Sequence, residues 1–330
     1  MTMERIGVIG GGAWGTALAQ AAAADGEPVL LWAREGDVVN AINDRSENPL
    51  FLPNIALSNK IRATSRIDDL ADCDAILVVA PAQHLRKTLS SASIGFAPLV
   101  LCAKGIEAGT KKLMNEVAAE AYPGAPIAVL SGPTFAHEVA AGLPAAVTLA
   151  CEDKTLGAEL ARRLARPAFR PYYSNDVVGA EIGGAVKNVL AIACGVVDGR
   201  GLGQNARAAL ISRGFAEMTR FGLARGARAE TLAGLSGLGD LVLTCSSTSS
   251  RNFSLGRGLG EGKSAKVLMS DRTTVAEGAH TAPVLREAAK DAGVEMPITE
   301  AVCDLLDGTA TVEQAIEALL SRPLKSEGLG

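Results

Sequence analysis

A glycine-rich turn at residues 10–15, GGGAWG, constrains the fold of this chain more than any other feature. It follows an apolar run at residues 5–9 and precedes an alanine-rich stretch, so it joins a predicted strand to a predicted helix. Gly10, Gly12 and Gly15 fit the pattern G-x-G-x-x-G in the strand–turn–helix context that gives this pattern its meaning. Such a turn presents the free amides of a helix N-terminus to a pyrophosphate, and the alternative is a purely structural glycine turn.

The apolar runs of the first half predict a mainly parallel sheet. They are continuous rather than alternating, which is typical of strands covered by helices on both faces. We therefore predict an α/β fold that begins with a Rossmann-like domain. After residues 5–9, the runs lie at 28–33, 61–64, 74–80, 97–103 and 126–130, with two further candidates at 145–150 and 168–173.

The second half of the chain lacks convincing strands and has helical periodicity. We predict an NAD(P)-binding Rossmann-like domain at residues 1–175 and an all-helical substrate-binding or catalytic domain at 176–330. The predicted helices are at 177–197, 205–222, 281–292, 298–307 and 311–320.

Composition excludes several classes of function. The net charge of −4 provides no basic surface of the kind that nucleic acid requires. The six cysteines and three histidines are scattered without metal-binding spacing, so we predict no metal site and reduced thiols, as in the cytoplasm. No apolar run approaches the ~20 residues that span a bilayer, so we expect no stable membrane insertion. The glycine run also argues against a signal peptide at the N-terminus.

Arg34 follows the second predicted strand, at the position where a site specific for NAD usually carries an acidic residue. A guanidinium there can pair with the additional phosphate of NADP, and the neighbouring Glu35 makes the preference ambiguous. We predict that the cofactor is NADP(H) and/or NAD(H).

Polar segments follow three of the later predicted strands, where open α/β sheets bind their ligands. Pro81 follows the fourth strand, Lys104 the fifth, and Gly132 and Thr134 the sixth. Lys104 is a candidate contact for an anion or a carbonyl group, and the alternative is an exposed surface lysine.

The helical half contains two clusters of polar residues. Lys187 lies in an apolar helix of small residues, where a lysine either reaches for solvent or is catalytic. A catalytic lysine needs a lowered pKa, which burial and a second cation such as Lys104 could supply. Asp240 and Thr244, four residues apart, share one helix face. Near them, Ser249 and Ser250 are predicted to cap another helix.

Arg251 and Asn252 occupy the first turn of that capped helix. A guanidinium at a helix N-terminus is suited to bind phosphate, and the alternative is an ordinary capped surface helix.

Eight segments of the chain form a characteristic set in this order: GGGAWGTALA at 10–19, LWAR at 31–34, FLPN at 51–54, KGIE at 104–107, SGPTFAHEVA at 131–140, EIGGAVKNVLAIACG at 181–195, GLSGLGDLVLTCSSTSSRN at 234–252 and VAEG at 275–278. By this set the chain resembles the bacterial NAD(P)-dependent glycerol-3-phosphate dehydrogenases, essentially from end to end. It differs from the common pattern at Ala13 and Thr134, where serine is frequent, and at Phe51, where tyrosine is frequent.

The resemblance implies reversible interconversion of dihydroxyacetone phosphate and sn-glycerol 3-phosphate for phospholipid synthesis, with Lys187 as the proton acceptor. It also implies a homodimer. The catalytic candidates are Lys187, Lys104 and Asp240. The substrate-binding candidates are Lys104, Gly132, Thr134, Lys187, Asn188, Asp240, Thr244, Ser250, Arg251 and Asn252. The cofactor-binding candidates are Gly10, Gly12, Ala13, Trp14, Gly15, Arg34, Phe51, Pro81, Lys104, Ala136, Arg251, Val275 and Glu277.

Two other functions share parts of this pattern. Another two-domain dehydrogenase, of the 3-hydroxyacid or ketopantoate type, has the glycine pattern and a helical second domain, but it does not need the phosphate site near Arg251. A non-catalytic sensor of nicotinamide dinucleotides keeps the glycine pattern but has no use for Lys187 in an apolar helix.

Overall fold

Eight strands form one sheet in a computed structural model, which describes residues 3–270 and 276–323. The order across the sheet is β3-β2-β1-β4-β5-β6-β7-β8, and every neighbouring pair is parallel except β6 and β7. The strands are β1 (Ile6–Ile9), β2 (Val29–Trp32), β3 (Ile61–Thr64), β4 (Ala75–Val78), β5 (Leu99–Leu101), β6 (Ile127–Ser131), β7 (Ala145–Cys151) and β8 (Phe169–Ser174).

The predicted α/β fold with a mainly parallel sheet is confirmed, because each of the eight apolar runs overlaps one strand. The central strands show why those runs are continuous. All four residues of β1 and all four of β4 are buried, so neither face of these strands meets water.

The helices follow the strands in the first half and dominate the second. They are α1 (Ala13–Ala22), α2 (Gly36–Arg45), α3 (Leu85–Ser90), α4 (Met114–Ala121), α5 (Ala136–Ala140), α6 (Lys154–Leu164), α7 (Val177–Gly199), α8 (Gly203–Ala224), α9 (Ala229–Leu232), α10 (Asp240–Thr244), α11 (Arg251–Gly260), α12 (Ala265–Leu268), α13 (Glu277–Asp291), α14 (Pro297–Asp307) and α15 (Val312–Leu320). α13 begins earlier than predicted and holds Pro283 in its interior, although proline is more typical of a helix start.

Contacts divide the chain into two compact units. The first comprises the described residues of Met1–Ala103 and Met114–Val177, and the second those of Lys104–Leu113 and Val178–Gly330. The domain boundary predicted at residue 175 places residues 104–113 in the first domain. In the structure they pack with the second unit, because Ile106 and Leu113 are buried in its apolar core.

α7 is the core helix of the second unit. It is long and apolar enough to cross a membrane, but 94% of its most apolar window is buried inside the protein. Close backbone packing explains this burial. A Cβ at Gly195 of α7 would lie 2.1 Å from the carbonyl oxygen of Phe253 in α11, and one at Gly256 of α11 would lie 1.9 Å from that of Ile192. α7 and α11 therefore meet backbone to backbone.

A buried carboxylate fixes the start of α14. Glu217 of α8 is 2% exposed, and its side chain accepts hydrogen bonds from the backbone N–H groups of Ile298 (2.7 Å) and Thr299 (3.4 Å). Burial raises the pKa of Glu217 to about 7, although these two N–H groups act to lower it. The carboxylate satisfies donors that the first turn of a helix leaves free.

Replacing Glu217 with alanine should lower the free energy of unfolding by about 1–3 kcal/mol, because two buried N–H groups lose their acceptor. Urea denaturation measures this change. Glu287→Ala, on the exposed side of α13, is the control and should change the stability little. Equal stabilities of the two variants would show that Glu217 does not anchor α14.

Candidate active site

The glycine turn after β1 requires glycine at its first and last positions. Gly10 has φ +123°, and its N–H donates to the Trp32 carbonyl at 3.0 Å. A Cβ at Gly10 would lie 3.0 Å from the Val79 carbonyl oxygen, and one at Gly15 only 1.8 Å from the Gly10 carbonyl oxygen. Any side chain at Gly15 would therefore push the helix away from the turn.

The N-terminus of α1 lies open beside this turn. Gly12 is its N-cap, and a Cβ built there would meet no atom within 4 Å. The first N–H groups of a helix have no intrahelical partner and carry the positive end of its dipole. Open space in front of free amides fits the pyrophosphate of a dinucleotide, so the residues present fit the cofactor that the glycine turn predicts.

Arg34 stands just beyond β2, with a side chain that is 83% exposed. Its Nε and Nη2 donate to Oε1 of Glu35 at 3.0 and 2.8 Å. An ion pair this exposed contributes little stability, so the guanidinium is free to exchange Glu35 for a phosphate. The geometry is compatible with either dinucleotide.

The remaining cofactor candidates of the first unit occupy turns and helix starts. Ala13 and Trp14 form the half-buried first turn of α1, and Pro81 opens the turn after β4. Ala136 is the first residue of α5. Phe51 is half-buried in the segment after α2.

Two substrate candidates also belong to the first unit. Gly132 directly follows β6, and the hydroxyl of Thr134 donates to the Gly132 carbonyl at 3.3 Å. A Cβ at Gly132 would lie 2.9 Å from Cα of Val147, so the backbone there is tightly packed.

In the second unit, Lys187 is buried rather than directed into solvent. Its Nζ donates to Oδ1 of Asp240 at 2.7 Å and to the Thr244 hydroxyl at 2.8 Å. Asp240, which is 0% exposed, accepts a second ammonium on its other oxygen, from Lys104 Nζ at 2.7 Å. The Thr244 hydroxyl donates to Oδ1 of Asp240 at 3.2 Å. The structure thus joins four predicted residues into one hydrogen-bonded cluster.

The cluster combines two ammonium groups with one carboxylate, and both burial and these charged neighbours act on the pKa of Lys187. Burial lowers that pKa to about 8; Asp240 opposes the shift, and the charge of Lys104 adds to it. Burial acts to raise the pKa of Asp240, but Lys104 and Lys187 together hold it below its ordinary value. A lysine with a pKa near 8 can accept and return a proton close to neutral pH.

Two side-chain amides and one backbone N–H form a chain of hydrogen bonds that begins at the Lys104 carbonyl. Asn188 Nδ2 donates to the Lys104 carbonyl at 3.3 Å, and Asn252 Nδ2 donates to Oδ1 of Asn188 at 2.9 Å. The N–H of Gly278 in turn donates to Oδ1 of Asn252 at 2.9 Å. Asn188 and Asn252, predicted to bind substrate, therefore also hold the backbone of Lys104 and the starts of α11 and α13 in place.

The predicted cap of α11 is present. Ser250 is the N-cap, and its hydroxyl accepts from the N–H of Phe253 at 3.2 Å. Arg251 is the exposed first residue of α11, and Glu277 is the first residue of α13. Val275, the last cofactor candidate, lies outside the described residues.

Sequence reasoning missed two features close to the candidate residues. The buried Cys245 thiol lies near enough to Lys187 to affect its pKa, and burial together with a hydrogen bond to Cys194 keeps the pKa of Cys245 well above its usual value. Asn48 is fully buried in the first unit and bonds to the glycine turn. Cys245 lies inside the segment 234–252, which gives no sign of its effect on Lys187, and Asn48 lies three residues before the FLPN segment.

Sequence models of known families match both halves of the chain. The N-terminal model of NAD-dependent glycerol-3-phosphate dehydrogenase matches residues 5–157, and the C-terminal model matches residues 176–317. The chain belongs to the NAD-dependent glycerol-3-phosphate dehydrogenase family. Both halves of the family pattern are therefore present, in order.

Curated relatives in this family match over almost their whole length. The chain is 64% identical, over 99% of its length and 100% of the relative's, to glycerol-3-phosphate dehydrogenase [NAD(P)+] 1 of Sphingopyxis alaskensis. It is 61% identical, with the same coverage, to glycerol-3-phosphate dehydrogenase [NAD(P)+] of Caulobacter vibrioides.

Solved glycerol-3-phosphate dehydrogenases and ketopantoate reductases differ in how similar they are to this chain. The crystal structure of glycerol-3-phosphate dehydrogenase from Coxiella burnetii is similar with a TM-score of 0.92 and 38% identity, over 98% of this chain and 100% of that one. A ketopantoate reductase from Ralstonia eutropha is similar with a TM-score of 0.58 and 15% identity, over 94% and 99% of the two chains. The likeness to the reductase extends to the fold alone.

Proposed function

We propose that this protein catalyses reversible hydride transfer between NAD(P)H and dihydroxyacetone phosphate, giving sn-glycerol 3-phosphate for phospholipid synthesis. One observation carries the proposal: a buried lysine with a lowered pKa, hydrogen-bonded to Asp240 and Thr244, in a chain of this family. The names of relatives up to 64% identical support the choice of substrate and cofactor.

When bound, the nicotinamide dinucleotide supplies the hydride for reduction or accepts it in oxidation. Lys187 handles the accompanying proton. In reduction its ammonium donates a proton to the ketone oxygen as that oxygen gains negative charge, and in oxidation the neutral amine takes the proton from the hydroxyl group. Asp240 keeps the Nζ in a fixed position, and the Thr244 hydroxyl limits its direction further.

Lys104 contributes charge rather than a proton in this proposal. Its ammonium shares Asp240 with Lys187, so the cluster with both lysines protonated carries one net positive charge. This charge favours an oxygen that becomes negative during reduction. The amide chain through Asn188 holds the Lys104 backbone in place.

The start of α11 is the proposed phosphate site. Ser250 caps this helix and Arg251 is exposed in its first turn, so a positive helix end and a guanidinium are presented together. Holding the phosphate would position the ketone for transfer. Gly132 and Thr134 remain further candidates for substrate contact.

The proposal includes a homodimer in the cytoplasm, as the family resemblance implies. All six cysteines are unpaired and buried, which is compatible with a reducing compartment. α7 packs within the protein core, which is compatible with a protein that does not insert into membranes.

Replacing Lys187 with alanine should lower kcat for the reduction of dihydroxyacetone phosphate by about two to four orders of magnitude, because the general acid is lost. Loss of NADPH absorbance measures the rate. Lys290→Ala, at an exposed position of α13, is the matched control and should retain full activity. An unaltered kcat in Lys187→Ala would remove Lys187 from this role, and turnover of ketopantoate alone would refute the substrate.

The rate of each direction should depend on pH through Lys187, with a pKa of about 8 set by burial, Asp240 and Lys104. Reduction needs the ammonium, so kcat/KM should fall as pH rises above about 8, whereas oxidation needs the neutral amine and should rise until about that pH. Profiles between pH 7 and 10 keep the substrate phosphate, with a second pKa near ~6, mostly in its doubly ionised form. Lys187→Arg should lose this dependence, because a guanidinium stays protonated throughout. Profiles that bend in the same direction for both reactions would contradict the assignment.

Replacing Arg34 with alanine should raise KM for NADPH about tenfold while changing KM for NADH little, because only NADPH carries the phosphate that the guanidinium can bind. Glu35→Gln is the paired variant. It removes the carboxylate that competes for Arg34 and should lower KM for NADPH. Equal changes for the two dinucleotides in Arg34→Ala would refute the assignment.

A further inference from the structure

Asn48 is a polar residue that is fully buried in the interior of the first unit. Its Nδ2 donates two hydrogen bonds, one to the Gly11 carbonyl and one to the Thr16 hydroxyl, each at 2.8 Å. The first of these acceptors belongs to the glycine turn and the second to α1. Since a buried amide is costly unless its donors are paired, these two contacts fix the side chain strongly.

The contact with Gly11 determines the direction of an amide in the dinucleotide site. The described residues contain no cis peptide bond, and in a trans peptide the carbonyl of one residue and the N–H of the next point in opposite directions. Holding the Gly11 carbonyl towards Asn48 therefore turns the Gly12 N–H away from Asn48. Because both residues are glycines, this peptide depends on such contacts to keep its orientation. The Thr16 hydroxyl, which accepts from Asn48 Nδ2, also donates to the Gly11 carbonyl at 3.4 Å, so Asn48 and Thr16 hold this carbonyl together.

The other side of Asn48 holds the segment that contains Phe51. The N–H of Phe51 donates to Oδ1 of Asn48 at 3.2 Å, and the N–H of Leu52 donates to the backbone carbonyl of Asn48 at 2.9 Å. Farther along, the N–H of Ser58 donates to Oε1 of Gln20 in α1 at 2.8 Å. The segment between residues 48 and 58 is thus bonded at its first residue to the glycine turn and to α1, and at its last residue to α1.

We propose that Asn48 is a positioning residue for dinucleotide binding. It holds the Gly11–Gly12 peptide with its N–H available to the pyrophosphate, and through the same side chain it fixes the loop that carries Phe51. This inference rests on the proposed function for the identity of the ligand. Asn48 acts through this peptide and this loop and does not itself contact the dinucleotide.

A purely structural role is the rival explanation, and Asn43 provides the matched control. Asn43 lies on the neighbouring α2, where its Nδ2 donates to the Ala63 carbonyl and its Oδ1 accepts from the Ala63 N–H, both at 2.9 Å. Replacing it with alanine removes two hydrogen bonds from the same unit without touching the glycine turn. A loss of stability alone should therefore affect Asn43→Ala and Asn48→Ala alike.

The experiment titrates the purified protein with NADPH and with NADH and measures Kd from the fluorescence of the nucleotide. Thermal melting of the same variants measures Tm. Asn48→Ala should raise Kd for both dinucleotides about five- to tenfold, the change that corresponds to one lost hydrogen bond. Asn43→Ala should lower Tm by a similar amount yet keep the wild-type Kd. In turnover assays, Asn48→Ala should raise KM for the dinucleotide and leave kcat at saturation near wild type.

Asn48→Asp keeps the shape of the side chain and the acceptor for Phe51 but loses the donors to Gly11 and Thr16. It should weaken dinucleotide binding as well, and it decides the question if Asn48→Ala does not fold. Wild-type affinity in the Asn48 variants would overturn the proposal, as would an equal loss in Asn43→Ala. Because the titration needs no ketone, a wild-type protein that binds NADPH but does not reduce dihydroxyacetone phosphate refutes the proposed reaction and leaves this test intact.

Discussion

The carboxylate of Asp240 is the interaction on which the second unit's chemistry depends. It is fully buried and accepts one ammonium on each oxygen, from Lys187 and from Lys104. Without it, two cations would face each other in an apolar interior, which is strongly unfavourable. With it, the cluster remains one positive charge in excess. Burial lowers the pKa of Lys187, Asp240 acts to raise it, and the charge of Lys104 offsets part of that increase.

Much of the fold follows from local sequence patterns, because continuous apolar runs and a glycine turn depend on neighbours in the chain. Every predicted strand is present, with ends that differ by a few residues. The reversed direction of β7 relative to β6 was not predictable, since an apolar run carries no information on direction. The membership of residues 104–113 in the second unit was missed for a similar reason: it depends on the partners that Ile106 and Leu113 find in the folded chain.

The candidate site was predictable as a set of residues but not as a network. Motifs and the family resemblance pointed to Lys104, Lys187 and Asp240, yet the contact between Lys104 and Asp240 spans 136 residues of sequence. The sequence predicts only that a catalytic Lys187 needs a lowered pKa, whereas the burial and the charged neighbours that set this pKa are visible only in the folded chain. Asn48 shows the remaining gap most clearly, because an asparagine in a polar-looking segment gives no sign that it will be buried against a carbonyl of the glycine turn.

The backbone contact between α7 and α11 fixes the distance between these two helices. Where Gly195 and Gly256 bring main chains together, no flexible side chain lies between the helices to absorb a displacement. Lys187 is carried by one of these helices and Arg251 begins the other, so the spacing between their backbones is set by rigid geometry rather than by rotamers. A side chain at either glycine would therefore have to displace a whole helix, and that displacement would change the distance between the backbones of Lys187 and Arg251.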